Sequence, residues 1–190
     1  MSCVVVLGCY RSGTSAIAGV LHQLGICMGQ SFDAPTHANE KGYFEDTELK
    51  KLHERMTFNE NVSALYQIMV HAREEKYPMW GIKDPILCLH LDKVKDLLPK
   101  NTKYAVIRRP AEEVASSIAK AIGYTSDKAY IDYVKFCQSS LEQYILNLNA
   151  PLFETTYQKF IKEDKVGEIN RLADFLGINV NSQVFDFVNK

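Results

Sequence analysis

The 190-residue sequence has almost no net charge, no hydrophobic run long enough to cross a bilayer, and no paired cysteine motif. Each shortage removes a class of function. With 22 basic against 23 acidic side chains the formal net charge is -1, so the broad basic face that nucleic acid demands is not expected. The opening apolar run, Cys3 to Leu7, follows no basic segment. It is too short for a signal peptide or a membrane span and reads as a buried strand. The five cysteines (Cys3, Cys9, Cys27, Cys88, Cys137) are odd in number, scattered, and lack any C-x-x-C pair. That argues against a disulfide framework and a zinc site and fits a reducing, cytoplasmic setting. Repeats, low-complexity tracts and linkers are also missing, so residues 1–190 are expected to form one domain.

What is present alternates strand and helix. "CVVVL" (3–7), "MWGI" (79–82), "KYAVI" (103–107) and "PLFET" (151–155) read as strands. Helical periodicity covers Thr14 to Leu24, much of 46–75, the stretch from Pro85 to Leu98, 110–122, about 127–148, and 166–177. Gly25 and Gly177 stand where helices stop, and residues 26–45 read as irregular. Apolar strands alternating with helices predict a three-layer α/β fold around a mostly parallel sheet. In such sheets ligands sit beyond the carboxyl ends of the strands.

"GCYRSGTS" (8–15) lies at such an end. Gly8 and Gly13 have the spacing of a Walker A loop, G-x-x-x-x-G-K-S/T, and Ser15 holds its hydroxyl position, but Thr14 replaces the lysine. The amides near Ser12, Gly13, Thr14 and Ser15 would still face an anion, aided by the helix N-terminus. The cation inside the loop is Arg11, whose guanidinium suits bidentate contact with a phosphate or sulfate. A second anion site is expected where "KYAVI" runs into "RRPAEEVASSI" (108–118), with Arg108, Arg109, a helix start at Pro110, and Ser116 turned away from the apolar stripe Val114, Ile118 and Ile122. In "GIKDP" (81–85), Lys83 ends another strand and either snorkels to the surface or enters the same crevice.

Together these segments resemble the sulfotransferases that use 3′-phosphoadenosine-5′-phosphosulfate (PAPS), in particular the bacterial-type branch with its P-loop-like fold. "RSGTS" (11–15) matches the family's first signature. Arg108, Pro110 and Ser116 match its second, an R-x-P followed by a serine. "KGYFED" (41–46), "KDP" (83–85) and "ADFLGI" (173–178) follow in family order, so the likeness runs from about residue 4 to 178. It implies that Arg11 and the 12–15 loop hold the 5′-phosphosulfate, that Arg108 and Ser116 hold the 3′-phosphate, and that no metal is needed. The reaction implied is sulfonate transfer to a hydroxyl or amine of a small-molecule or glycan acceptor. Arg11 and Lys83 would then stabilise the leaving charge.

Two carboxylates are candidates for the base that takes the acceptor's proton. Glu40 aligns with the base of glycosaminoglycan-type relatives, although Lys41–Gly42 replaces their x-His. Glu45 aligns with the acidic end of the bacterial segment and is preferred. His37, His53 and His71 are weaker candidates. Tyr43 and Phe44 either wall an acceptor pocket or join the core, with core expected for one of them, and Trp80 is expected to pack. The basic C-terminal segment of the cytosolic relatives has no match before Lys190. Two other readings compete: an ATP-using P-loop kinase with a degenerate loop, and a non-catalytic nucleotide-binding module. Asp84 is the nearest candidate for the acidic metal ligand that a kinase requires.

Overall fold

Strand β1 (Ser2–Leu7) is buried on both faces because its side chains alternate between two cores. The computed structural model describes residues 2–37, 39–123 and 128–189; residue 127, where the long helix was expected to begin, and Lys190 lie outside them. β1 pairs in parallel with β2 (Met79–Lys83) and β3 (Lys103–Arg108), and β3 pairs in parallel with β4 (Leu152–Thr156). The sheet order is β2-β1-β3-β4. Cys3, Val5 and Leu7 face a cluster containing Leu49, Tyr66, Leu87, Leu91 and Cys137, while Val4 and Val6 face Ile17, Val20, Leu21, Ile169 and Leu172. A strand covered on both sides needs an unbroken apolar run, as "CVVVL" supplies.

The covering layers are α1 (Thr14–Gln23), α7 (Lys165–Leu176) and α8 (Gln183–Asn189) on one face. On the other lie α2 (Thr47–Thr57), α3 (Ser63–Lys76), α4 (Leu87–Val94) and α6 (Lys128–Leu146). α5 (Ala111–Ile122) packs chiefly on α6. The fold is thus the three-layer α/β arrangement expected. A seven-residue α8 and a π-helical turn at Gln158–Glu163 were not expected. α7 stops where Gly177 turns left-handed, φ 76°, and the Ile178 amide reaches back to the Ala173 carbonyl.

The stripe on α5 differs from its sequence reading. Ala111, Val114, Ala115 and Ala119 are buried, Ile118 is half-buried, and Ile122 is 51% exposed. Ala111 and Val114 pack with Val134 of α6, flanked by Ile118 and Ile131, so the contact face lies on the first half of α5.

The irregular 26–45 segment is anchored at its end by Asp46. That carboxylate caps α2 through the Glu48 and Leu49 amides, accepts from the Gln30 amide at 2.8 Å, and pairs with buried Arg73 at 2.8 Å. Arg73 in turn lies over Trp80, which is fully buried in the core. Breaking such a buried pair by removing one partner typically costs about 3–5 kcal/mol. These contacts tie the end of the 26–45 segment to α3 and, through Trp80, to β2.

Candidate active site

The loop after β1 is shaped by close approach. A Cβ on Gly8 would lie 2.6 Å from Ser12 Oγ and 2.8 Å from the Ile107 carbonyl, and one on Gly13 would lie 2.9 Å from the Tyr157 ring. Gly13 is also left-handed, φ 103°. Ser12 turns inward and donates both its amide (3.1 Å) and its hydroxyl (2.6 Å) to the Cys9 carbonyl. Its hydroxyl therefore braces the loop rather than facing a ligand. Thr14, in the position of the Walker lysine, is buried. The first amides of α1 have no partners within the helix, and a helix start of this kind suits an anion.

The missing cation comes from the neighbouring strand. Lys83, the last residue of β2, is 3% exposed and donates to Ser15 Oγ at 3.1 Å and to Glu45 Oε1 at 2.5 Å. Burial pulls its ammonium below the ordinary lysine range, with Glu45 opposing that pull. The second oxygen of Glu45 lies 3.7 Å from Lys50 Nζ, which bonds to Asp33 at 2.6 Å. Asp84, next in sequence to Lys83, accepts from the Ile86 amide at 3.1 Å and from His53 Nδ1 at 2.8 Å. His53 Nε2 is 3.2 Å from the buried Tyr66 hydroxyl. Ser15, Asp33, Glu45, Lys50, Lys83 and Asp84 border a cavity of about 630 Å³ that Arg11, Arg109 and Tyr157 also line, with His53 and Tyr66 behind Asp84.

The turn after β3 adjoins the first loop but is wired differently. Arg109 Nη1 donates to the Arg11 carbonyl at 3.1 Å, and its guanidinium stacks 4.0 Å from the Tyr157 ring. Arg11 Nε donates to Ser117 Oγ at 3.1 Å. Arg108 faces carboxylates: Nε and Nη2 meet Glu142 at 2.7 and 3.0 Å, and Nη1 meets Glu154 at 2.5 Å. Those carboxylates hold its guanidinium charge even more firmly than usual, Glu142 contributing most. Ser116 does not line that cavity; it lines an open hollow beside it, with Lys120 and with Arg109 and Ser117, which the two share.

Of the sequence-derived candidates, Arg11, Gly13, Thr14, Ser15, Lys83 and Glu45 line one cavity. Glu40, His37 and His71 are exposed; the cavity walls beside Glu40 are Asn39 and Lys41. His53 is buried behind Asp84. Phe44 joins the core, while Tyr43 lines the cavity. Ser117, Lys50 and Tyr157 were not singled out from sequence. Helical phase on α5 could have found Ser117, whereas nothing local marks Tyr157. The cysteines, scattered in sequence, are less so in space: all five are free thiols, and Cys9, Cys88 and Cys137 touch one another beneath the loop. Among the described residues no helix is long and apolar enough to cross a membrane, and no group of three or more His, Cys, Asp or Glu side chains is arranged to hold a metal ion.

No protein-family model matches the sequence, and no curated protein matches it. Solved structures do. The sulfotransferase domain of the Synechococcus PCC 7002 olefin synthase superposes with a TM-score of 0.66 at 14% identity, over 98% of this chain and 77% of that one. A sulfotransferase from Mycobacterium avium gives 0.63 at 11% identity over 98% and 66%. A sugar kinase from Janibacter sp. HTCC2649 gives 0.51 at 18% identity over 94% and 95%. At these identities the likeness concerns architecture. The chain has a sulfotransferase-type α/β fold, an architecture shared in outline with that sugar kinase.

Proposed function

We propose that the protein transfers a sulfonate group from PAPS to a hydroxyl or amine of a small-molecule or glycan acceptor. The observation that carries this reading is the Lys83–Ser15 hydrogen bond at 3.1 Å. In an ATP-type loop the equivalent hydroxyl holds Mg²⁺ and the loop's own lysine meets the β- and γ-phosphates. Here an ammonium from β2 takes that hydroxyl, and the loop's own position carries buried Thr14. A fixed ammonium in place of a metal ion suits a phosphosulfate, which carries less charge than a nucleoside triphosphate. Arg11, Lys83 and the amides of Gly13, Thr14 and Ser15 would hold that end of the donor.

Transfer forms a bond from the acceptor oxygen or nitrogen to sulfur and breaks the bond from sulfur to the 5′-phosphate oxygen. The electron pair and charge go to that oxygen, giving adenosine 3′,5′-bisphosphate. Lys83 and Arg11 stabilise this charge as it develops. Glu45, in contact with Lys83 and bordering the cavity, takes the acceptor's proton; Glu40 is the less suited carboxylate. Arg108 and Ser116 join the donor's 3′-phosphate only if Arg108 exchanges a carboxylate for it. Five free thiols support a reducing, cytoplasmic setting.

A second reading, a small kinase, draws on the 95% coverage of the sugar kinase. Calorimetric titration separates the two. Adenosine 3′,5′-bisphosphate is expected to bind with chelator present and more tightly than ATP–Mg²⁺. The reverse preference overturns the sulfotransferase reading.

A further inference from the structure

Three thiols stand together beneath the first loop, and no step of the transfer uses them. Cys9 follows β1, Cys88 lies in the first turn of α4, and Cys137 lies midway along α6. Their side chains hydrogen-bond with one another inside one core cluster. All are free, and among the described residues no such group is arranged to hold a metal ion. Cys88 and Cys137 are each 1% exposed and Cys9 is 4% exposed. Cys9 nevertheless joins the wall of a hollow of about 550 Å³, with Ser12 from the loop and Gln138 and Leu141 from α6. A small solute in that hollow meets Cys9 before the other two. Hydrogen bonds from Cys88 and Cys9 pull the Cys137 thiol below the ordinary thiol range against burial, while Cys9 and Cys88 are held above it. The thiolate is the reactive form of cysteine, and the cluster supplies one that a proton shift from Cys9 to Cys137 places on Cys9.

We infer that Cys9 and Cys137 form a peroxide-reactive pair whose disulfide displaces the first loop. The thiolate attacks one oxygen of hydrogen peroxide, the O–O bond breaks, and hydroxide leaves and takes up a proton, giving a sulfenic acid. The second sulfur attacks that sulfur, the S–O bond breaks, and water leaves with the second proton. In sum two thiols give up two electrons and two hydrogens, and one peroxide becomes two waters. Cys88 takes no part in the wall of the hollow, so Cys9 is the partner assigned. Bond formation draws the sulfurs closer than contact. Cys137 is fixed within a 19-residue helix, so Cys9 is the residue that moves. Its carbonyl holds both the amide and the hydroxyl of Ser12, and that brace of the loop moves with it.

For the test the full chain, freed of reductant, is treated with hydrogen peroxide, alkylated in denaturant and mapped by peptide mass spectrometry. The expected product is a peptide pair joined through Cys9 and Cys137 and absent after dithiothreitol. Amide hydrogen exchange over residues 8–15 is expected to quicken in the oxidised chain. Binding of adenosine 3′,5′-bisphosphate, measured with chelator present, should fall about tenfold, the scale of one hydrogen bond lost from the loop, and return on reduction. Cys137→Ser should form no bond and keep its binding after peroxide. Cys27→Ser, at a half-buried thiol outside the cluster, should behave as wild type. If Cys137→Ser fails to fold, the wild-type map still decides. A bond from Cys88 rather than Cys9, or all three thiols alkylated after peroxide, overturns the pair. A bond between Cys9 and Cys137 with loop exchange unchanged overturns the displacement. Reduced protein that does not bind the bisphosphate overturns the donor reading instead, and the map and the exchange rates still judge the pair.

Discussion

The turns after β1 and β3 lie side by side and start from similar residues, yet their electrostatics are opposite. α1 has no acidic residue in its first turn, so its amides are left for an external anion. α5 carries Glu112 and Glu113 in its first turn, which already answer its dipole. Lys83 is buried against one carboxylate, with Lys50 on that carboxylate's far side. Arg108 is one-third exposed and faces two carboxylates. A basic residue at a strand end is therefore not by itself an anion site. What decides is how much counter-charge the fold has already supplied: Lys83 shares Glu45 with Lys50, whereas Arg108 has both Glu142 and Glu154.

The largest effect is expected at Lys83. Lys83→Met should lower sulfonate transfer about 10²–10³-fold, the scale for losing one preorganised donor to a developing oxyanion. It should also destabilise the protein, by less than the roughly 3–5 kcal/mol of a fully unpaired buried charge, because Glu45 keeps only its 3.7 Å contact with Lys50. Adding Glu45→Gln should restore stability in urea unfolding but not turnover. Turnover regained in the double variant would mean that Lys83 merely neutralises Glu45, and the contrast between the two turns would lose its functional meaning.

A gentler change separates charge from shape. Because burial lowers the Lys83 pKa beneath its ordinary 10.5, the ammonium loses its proton earlier on an alkaline titration. The alkaline limb of the rate–pH profile should therefore fall below pH 10.5, and Lys83→Arg should move it up beyond the assay range. The stability sign follows: between the lowered folded pKa and 10.5 the unfolded chain binds more protons, so this group's contribution rises with pH across that window. An alkaline limb unmoved in Lys83→Arg would assign it to another group.

On the other turn the expected effects are smaller. Arg108→Gln should weaken bisphosphate binding less than about tenfold, since part-exposed ion pairs are worth only about 0.2–1 kcal/mol each. Glu142→Gln should tighten binding by removing the counter-charge and one of the two acceptors that Glu142 presents to the guanidinium. A loss of a hundredfold in Arg108→Gln would mean that phosphate displaces the carboxylates, which would erase the difference between the turns.

These contrasts also mark how far the sequence could be read. All four strands and the parallel order were legible because buried strands need apolar runs, and glycine marks turns whose geometry few residues adopt. Local pattern also pointed to Gly8, Gly13 and Ser15. It could not reveal that Ser12 faces inward, which depends on a contact with the Cys9 carbonyl. Nor could it show that Glu142 and Glu154, 34 and 46 residues beyond Arg108, return to neutralise it. Lys83 was visible as a strand end, but its choice of the crevice over the surface required Ser15 and Glu45 to meet it. Partners distant in sequence set the charge state of a site, and they leave no local trace.

The smallest test concerns two adjacent serines. Consecutive helical residues point about 100° apart, so only one of Ser116 and Ser117 can address the first loop. Ser117 does, accepting from Arg11 Nε at 3.1 Å and lining the main cavity, which Ser116 does not reach. Ser117→Ala should therefore weaken bisphosphate binding about two- to tenfold, the worth of one net hydrogen bond that orients Arg11, and Ser116→Ala should leave it unchanged. The opposite ranking would mean that the bound state rotates α5 by the step between these residues, bringing Arg108 and Ser116 to the ligand together. The neutralised turn would then be a resting arrangement rather than a fixed one.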